Sequence, residues 1–288
     1  MKKIAAVVAG VCCLGGAAVG FGYMERYVHA ASPVAQPAGY MELISPPRWI
    51  TEALQKRIAE AAGGYSFELG ADTARDVALR LERLPWIYNT RVRTTDKTVH
   101  VHAEYRKPLA CIKAGGQEYY LALVRPGDPI HSADSPKVVL LDRIELNTLP
   151  IIEIKGFAAK NIPPVGGAWD APEITSALEL INVLGHMDEI SSPDNPLLND
   201  LGAIDVKNFN GKFRNDPHVV LYAKDGTEIR WGAAYGTSRL YMEATEQEKL
   251  ATLYTFYKEH KNTIQCIKHN ICQLIELRYS QKIFPRPE

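Results

Sequence analysis

The stretch LPWIYNTRVRTTDKTVHVHAEYRKPL, residues 84–109, decides how the rest of the chain is interpreted. Leu84-Pro85 predicts the end of a helix, because proline lacks a backbone N–H and disfavours the helical region in the residue before it. Tyr88 to Thr94 and Thr98 to Tyr105 alternate polar and apolar residues, which is typical of half-buried strands. Thr95 to Lys97 is the predicted turn, so a hairpin follows a helix.

The second strand of this hairpin is predicted to have two distinct faces. Four alternating residues are expected to point into a core: Val99, Val101, Ala103 and Tyr105. The polar residues between them are expected to face water: Thr98, His100, His102 and Glu104. Because the side-chain period of a strand is two, a slip of one residue would exchange the two faces.

Composition and charge suit a folded protein of one or two domains. The chain has 288 residues, of which 46% are hydrophobic and 23% are charged. Lys+Arg and Asp+Glu number 33 each, so the formal net charge is zero. No global basicity indicates nucleic-acid binding, and no long charge run indicates an interaction tail.

The N-terminus predicts a membrane anchor. Lys2-Lys3 precede 21 residues without a charge, and a span of about 20 apolar residues crosses a bilayer. The lysines are expected on the cytoplasmic side, which places the remainder outside the cytoplasm. We therefore predict a cytoplasmic N-terminus at residues 1–3, a single transmembrane helix at residues 4–28 and a linker at residues 29–39.

A cleaved signal peptide is the alternative interpretation of this segment. Val28-His29-Ala30 resembles the small-residue pattern of a cleavage site, which would give a mature protein that begins at Ala31. The uncharged span is longer than the roughly 7–15 residues usual for a signal peptide, which favours the retained anchor.

Residues 40–113 are predicted to form a β-α-α-β-β domain. Tyr40 to Ile44 is the first short strand, and the hairpin supplies the other two. The first helix has an apolar stripe of Ile50, Ala53, Leu54, Ile58 and Ala61. The second has Ala74, Val77, Ala78, Leu81 and Leu84. Two such helices on one face of a small sheet bury enough surface for an independent core.

Residues 114–288 are predicted to form a larger mixed α/β domain, so the fold class is α+β overall. Apolar runs bounded by turn residues predict strands at 117–124, 138–141, 151–154, 201–209, 218–223 and 227–231. Asp170 and Gly185 are predicted to begin and end a third helix, and a capping box at Thr245 begins a fourth. Ile271 to Tyr279 is the last clear predicted strand.

The first of these domains resembles the POTRA module of FtsQ, called DivIB in Gram-positive bacteria, a family of cell-division proteins. The resemblance is carried by Leu84-Pro85-Trp86-Ile87, by a strand that ends in Glu104, and by Lys107-Pro108-Leu109-Ala110. Two features depart from the family pattern. The usual proline before the second strand is missing, and Tyr105-Arg106 separates the glutamate from Lys-Pro.

The second domain is similar to the β domain that follows in FtsQ proteins. The matching segments are the hairpin at residues 221–232, Glu248-Lys249-Leu250, and the strand Leu274 to Tyr279. Glu276 stands where the family usually has aspartate. The anchor, both domains and their order match, so the resemblance extends over nearly the whole chain.

The resemblance implies a non-catalytic scaffold of the divisome, with most of the chain in the periplasm at the division septum. Proteins of this family bind FtsB and FtsL and link early to late division components. Their final strands form the edge that receives FtsB, which implies partner binding here by Arg278, Tyr279, Ile283 and Phe284. In the alternative interpretation, residues 274–279 form a central strand, and Ile283 and Phe284 only complete the core.

No common catalytic motif is present: GxSxG, HExxH, a P-loop and GxGxxG are all missing. His100 and His102 share a strand face without an evident third ligand, which favours a solvated surface over a metal site. Outside the anchor, Cys111, Cys266 and Cys272 make no CxxC, although a Cys266–Cys272 bridge would fit an oxidising compartment.

We therefore predict no cofactor, metal, nucleic acid or small-molecule substrate. Two other classes stay open: a POTRA-bearing component of secretion or outer-membrane assembly, and an anchored periplasmic enzyme of unrecognised class.

Overall fold

The computed structural model describes residues 38–131, 138–146 and 149–279. Over these ranges the protein is mixed α/β, with two β-sheets and four α-helices. The predicted transmembrane helix, Ile283 and Phe284 lie outside the described residues. Among the helices inside these ranges, none has the length and apolar character needed to cross a membrane.

The first sheet contains four strands and packs against two helices. Its elements are β1 (Ala38–Leu43), α1 (Glu52–Ala62), β2 (Ser66–Glu68), α2 (Thr73–Leu81), β3 (Ile87–Thr94) and β4 (Thr98–Tyr105). The strand order is β2-β1-β4-β3, with β1 parallel to β4 and β3 antiparallel to β4. The predicted β-α-α-β-β order is present, and the short β2 is added to it between the helices.

The two faces of β4 are as the alternation predicts. Val99 and Val101 are fully buried against the helices, whereas His102 is exposed and His100 is partly exposed. Helix α1 begins where Thr51 Oγ1 accepts the backbone N–H of Leu54. It ends at Gly63, whose φ of 115° is the left-handed conformation that favours glycine.

The second sheet has nine strands in the order β13-β12-β11-β10-β8-β5-β6-β7-β9. Its strands are β5 (Ala110–Ala114), β6 (Gln117–Leu123), β7 (Val138–Asp142), β8 (Ile152–Lys155), β9 (Ala168–Trp169), β10 (Leu201–Asp205), β11 (Val219–Ala223), β12 (Glu228–Gly232) and β13 (Leu274–Glu276). The pairs β5–β8, β8–β10 and β12–β13 are parallel, and the other neighbours are antiparallel.

Two helices of the second domain differ in how well the sequence predicts them. Helix α3 (Pro172–Ser191) starts after Ala171 rather than at Asp170, and it continues past Gly185 for six residues. The added length has a physical reason, since it brings the buried Asp188 to four hydrogen-bond donors. Helix α4 (Glu246–Glu259) begins at the predicted capping box of Thr245 and Glu248.

Strands β5, β6 and β7 of the large sheet are covered on both faces, because side chains alternate in direction along a strand. Ile112, Leu121 and Leu140 point to the core that contains α3 and α4. Neighbouring residues on the same three strands point the other way, into the core of α1, α2 and the small sheet: Cys111, Tyr120, Ala122, Val139 and Leu141. Strand β5 belongs wholly to the large sheet, so the two sheets divide between Tyr105 and Ala110, ahead of the predicted boundary at residue 113.

Candidate partner-binding site

Strand β13 is the last strand at one end of the nine-stranded sheet. It pairs in parallel with β12, with Leu274 opposite Glu228 and Glu276 opposite Arg230. No other described strand lies beside it. Within the described part of the chain, β13 is therefore an edge strand and not the central strand of the alternative interpretation. It is shorter than the predicted strand Ile271–Tyr279.

The free part of this edge is short. Gln273 O accepts from Glu228 N, and Leu277 N donates to Arg230 O at 3.1 Å, so these groups point towards β12. In a parallel strand the next residue points the other way, which directs the backbone N–H and C=O of Glu276 outwards. Beyond it, Arg278 O accepts a 2.8 Å hydrogen bond from Ala244 N. Glu276 is itself only 6% exposed and Ala244 covers the strand end beyond it, so little of the β13 backbone is open to a partner.

Arg278 is held by Glu276 on the face of β13 that points away from the core. Glu276 accepts from Arg278 Nε at 2.9 Å and from Arg278 Nη2 at 2.8 Å. Arg278 Nη1 donates to Asn215 O at 3.1 Å. The hydrogen bonds to Glu276 are the main reason that the pKa of Arg278 is raised. Arg278 thus positions the end of the strand, and its guanidinium is already engaged within the chain.

Tyr279 is the most exposed of the predicted partner-binding residues that the structure describes. Its side chain is 53% exposed, and the Arg278 guanidinium carbon lies 5.3 Å from its ring centroid. This cation–π contact modestly stabilises the ring in its exposed position.

Four further exposed apolar side chains lie on the segments next to Arg278 and Tyr279. With Tyr279 they are named the exposed cluster: Phe213, Leu240, Tyr241, Met242 and Tyr279. Arg278 ties these segments together, because it contacts Asn215 on the first and Ala244 on the second. The Tyr241 ring packs edge-on against His218, with ring centroids 4.5 Å apart. Exposed apolar side chains gathered on adjoining segments are a feature of interaction surfaces.

Sequence reasoning missed the exposed cluster apart from Tyr279. The available signal was the run Leu240-Tyr241-Met242, which stands between polar residues and outside any helical or strand period. Met242 is 92% exposed and Leu240 is 80% exposed, although apolar residues of this size are usually buried.

A buried lysine fixes the segment that carries Leu240 to Met242. Lys249 is fully buried and donates to Glu243 Oε2 at 2.6 Å and to Ser238 Oγ at 3.0 Å. Its ammonium lies 5.3 Å from the ring centroid of Trp231. Burial lowers the pKa of Lys249, and the contact with Glu243 opposes that shift. Lys249 therefore has a structural role, because its hydrogen bonds to Ser238 and Glu243 hold both ends of the segment that carries Leu240, Tyr241 and Met242.

Other polar side chains that could serve in metal binding or catalysis make contacts within the chain. His100 Nδ1 lies 3.3 Å from Glu42, and in the described ranges no group of three or more His, Cys, Asp or Glu side chains is arranged for a metal ion. A cleft of about 530 Å³ is lined by Tyr88 and Arg106, among others. The Arg106 guanidinium there is held by both carboxylate oxygens of buried Asp128, at 2.7 and 2.8 Å.

No protein-family model matches the chain, and no curated protein matches it.

Proposed function

We propose that this protein is a non-catalytic scaffold of bacterial cell division, of the FtsQ kind, which binds an extended segment of a partner along β13. The observation that carries the proposal is the position of β13 at the end of the sheet, beside the exposed cluster. In this proposal residues 1–3 are cytoplasmic, residues 4–28 anchor the chain in the inner membrane, and the described residues lie in the periplasm at the septum.

The fold supports this proposal at the level of element order. The small sheet combines two helices with a parallel β1–β4 pair and an antiparallel β3–β4 hairpin, in the order expected for a POTRA-like module. The large sheet follows it in the chain, as an FtsQ-type β domain would.

The edge supplies both main-chain and side-chain recognition. An added strand would bond to the outward N–H and C=O of Glu276 once the neighbouring chain segment that buries this residue moves aside, and main-chain hydrogen bonds of this kind give affinity without sequence preference. Specificity would come from the exposed cluster, where a partner's apolar side chains would cover Tyr279, Tyr241 and Met242. Ile275 and Leu277 stay in the core and are not available to a partner.

The partners that fit this proposal are membrane proteins of the division machinery. By resemblance they are the small coiled-coil proteins FtsB and FtsL, whose segments outside the membrane would reach β13 by strand addition. No small-molecule substrate or cofactor enters the proposal. The chain would act by bringing these partners together at the septum.

Loss of partner binding without loss of stability tests the proposal. The full-length protein is captured from membranes, and co-purified FtsB-like and FtsL-like proteins are quantified for the wild type, Tyr279→Ala and Phe284→Ala. Tyr65→Ala is the matched control, because Tyr65 is 54% exposed and lies in the small domain. We expect binding to fall about tenfold or more for Tyr279→Ala and to be unchanged for Tyr65→Ala.

The thermal midpoint of each variant is measured alongside. If Tyr279→Ala retains wild-type binding, the edge is not the partner site. If binding falls only together with the thermal midpoint, Tyr279 has a structural role and the proposal fails.

A further inference from the structure

Two cysteines lie in the segment that leads from helix α4 into the edge strand. Cys266 and Cys272 are both buried, in the same core as β13. Ile271 N donates to Cys266 O at 2.9 Å, which folds the segment back on itself. The two thiols face each other closely enough to hydrogen-bond.

Neighbouring side chains hold this segment in place from two directions. The Asp200 carboxylate accepts from Thr263 Oγ1 at 2.7 Å, from Gln265 Nε2 at 2.6 Å and from Ile264 N at 3.2 Å. The second anchor is the β11–β12 turn, where Asp225 accepts from Lys268 N at 2.9 Å. These hydrogen bonds fix the backbone around Cys266 without the need for a bond between the two sulfurs.

The two thiols differ in acidity. The hydrogen bond from Cys266 is the main cause that lowers the pKa of Cys272, and burial opposes it. The pKa of Cys266 is raised, first by that hydrogen bond and then by burial. Both thiols are buried in the folded chain, so exchange with an external disulfide has to take place before this core closes.

We propose that Cys266 and Cys272 are joined by an intramolecular disulfide, formed by exchange with an external disulfide as the chain folds. Cys272 thiolate attacks one sulfur of the external disulfide and releases its partner as a thiol. Cys266 then loses its proton to solvent and attacks Cys272 in the mixed disulfide, which releases the second external thiol. Two thiols of this chain lose two electrons, and one external disulfide gains them.

The disulfide connects to the proposed function through β13. The bridge closes two residues before Leu274, so it fixes the entry of the edge strand that would receive a partner. The inference rests on the proposed periplasmic location, because disulfides form and persist in oxidising compartments.

Peptide mapping tests the pairing. The full-length protein is unfolded, reduced, refolded with oxidised glutathione, alkylated and digested with trypsin without reduction. Cleavage after Lys261, Lys268 and Arg278 places Cys266 in residues 262–268 and Cys272 in residues 269–278. We expect these two peptides as a linked pair, two hydrogens lighter than the sum of the free peptides. The Cys111 peptide, residues 107–113, serves as the internal control and should be alkylated and unlinked. Recovery of Cys266 and Cys272 as alkylated, unlinked peptides overturns the proposal.

A second measurement separates this inference from the proposed function. Thiols are trapped by alkylation in intact cells, and the same peptides are mapped. If the pair links on refolding but is alkylated in cells, the pairing stands and the proposed periplasmic location fails.

Reductant should lower the thermal midpoint of the wild type and of Cys111→Ser, and it should leave the variant with both Cys266→Ser and Cys272→Ser unchanged. An equal shift in all three proteins counts against the bridge.

Discussion

Trp86 donates its indole N–H to Asp142 at 3.0 Å, and this hydrogen bond joins the small helix-and-hairpin unit to the nine-stranded sheet. Arg57 of helix α1 pairs with the same carboxylate. The Trp86 ring also packs edge-on against Tyr120 of β6, with ring centroids 6.2 Å apart. The two units thus share a polar contact at the margin of a shared apolar core, where the Asp142 side chain is 23% exposed.

Asp142→Ala tests this contact. The substitution leaves the buried indole N–H of Trp86 without its acceptor and Arg57 without its ion pair, so we expect the free energy of unfolding to fall by about 1–3 kcal/mol. Urea unfolding followed by tryptophan fluorescence measures the change. Asp96→Ala, in an exposed turn, is the control and should stay within about 0.5 kcal/mol of the wild type. Equal effects in the two variants would mean that the contact contributes nothing to stability.

Val101→Asp tests the register of the hairpin. Val101 is fully buried, so the new carboxylate would be an unpaired buried charge and should cost roughly 3–5 kcal/mol. His102→Ala, at the next position on the exposed face, should change the free energy of unfolding by less than about 0.5 kcal/mol. Both values come from the same denaturation assay, and similar losses would contradict the observed register.

Because Tyr257 is buried, we expect the free energy of unfolding to fall at alkaline pH. Burial is the main cause that raises the pKa of Tyr257 to about 12, from an ordinary value of 10.0. Between these values the unfolded chain releases a proton that the folded chain keeps, so the free energy of unfolding falls as the pH rises. Denaturation curves at about pH 8 and about pH 11 measure the loss, which should be smaller in Tyr257→Phe. A loss of the same size in the variant would assign the effect to other groups.

Tyr254→Phe tests the network that extends helix α3. Tyr254 Oη lies 2.8 Å from both Leu184 O and a carboxylate oxygen of Asp188, and all three groups are buried. Removing the hydroxyl takes one donor from a buried carboxylate, which should cost about 1–3 kcal/mol. Hydrogen exchange should rise mainly in the last turns of α3. Unchanged exchange there would show that Asp188 does not need Tyr254.

A reporter fusion tests the predicted topology. A reporter that is active only outside the cytoplasm, fused after Glu288, should be active because Lys2-Lys3 are expected to keep the N-terminus inside. A silent fusion would contradict the orientation. A mature protein that begins at Ala31 would contradict the retained anchor.

Local periodicity predicted the parts of the fold that depend on local sequence. The alternation around Val101 gave the correct faces of β4, and the capping box at Thr245 gave the correct start of α4. Helix α3 was predicted too short because Gly185 is a frequent helix stop. The buried contacts of Asp188 with residues beyond the helix outweigh that preference.

Non-local contacts account for what the sequence did not predict. Residues 110–113 were placed in the first domain, and no strand was predicted there, because only the pairing of β5 with β6 and with β8 shows that it belongs to the large sheet. Tyr279 was predicted as a partner-binding residue from its place in the final strand. Leu240 and Met242 were not, because their exposure depends on the buried contacts of Lys249 and Glu243.

The shared core has a mechanical consequence. Strands β5, β6 and β7 contribute side chains to both cores, so the two units are packed against each other through a shared layer. A force applied to β13 by a bound partner would be transmitted to β1 through packed side chains and the Trp86–Asp142 hydrogen bond.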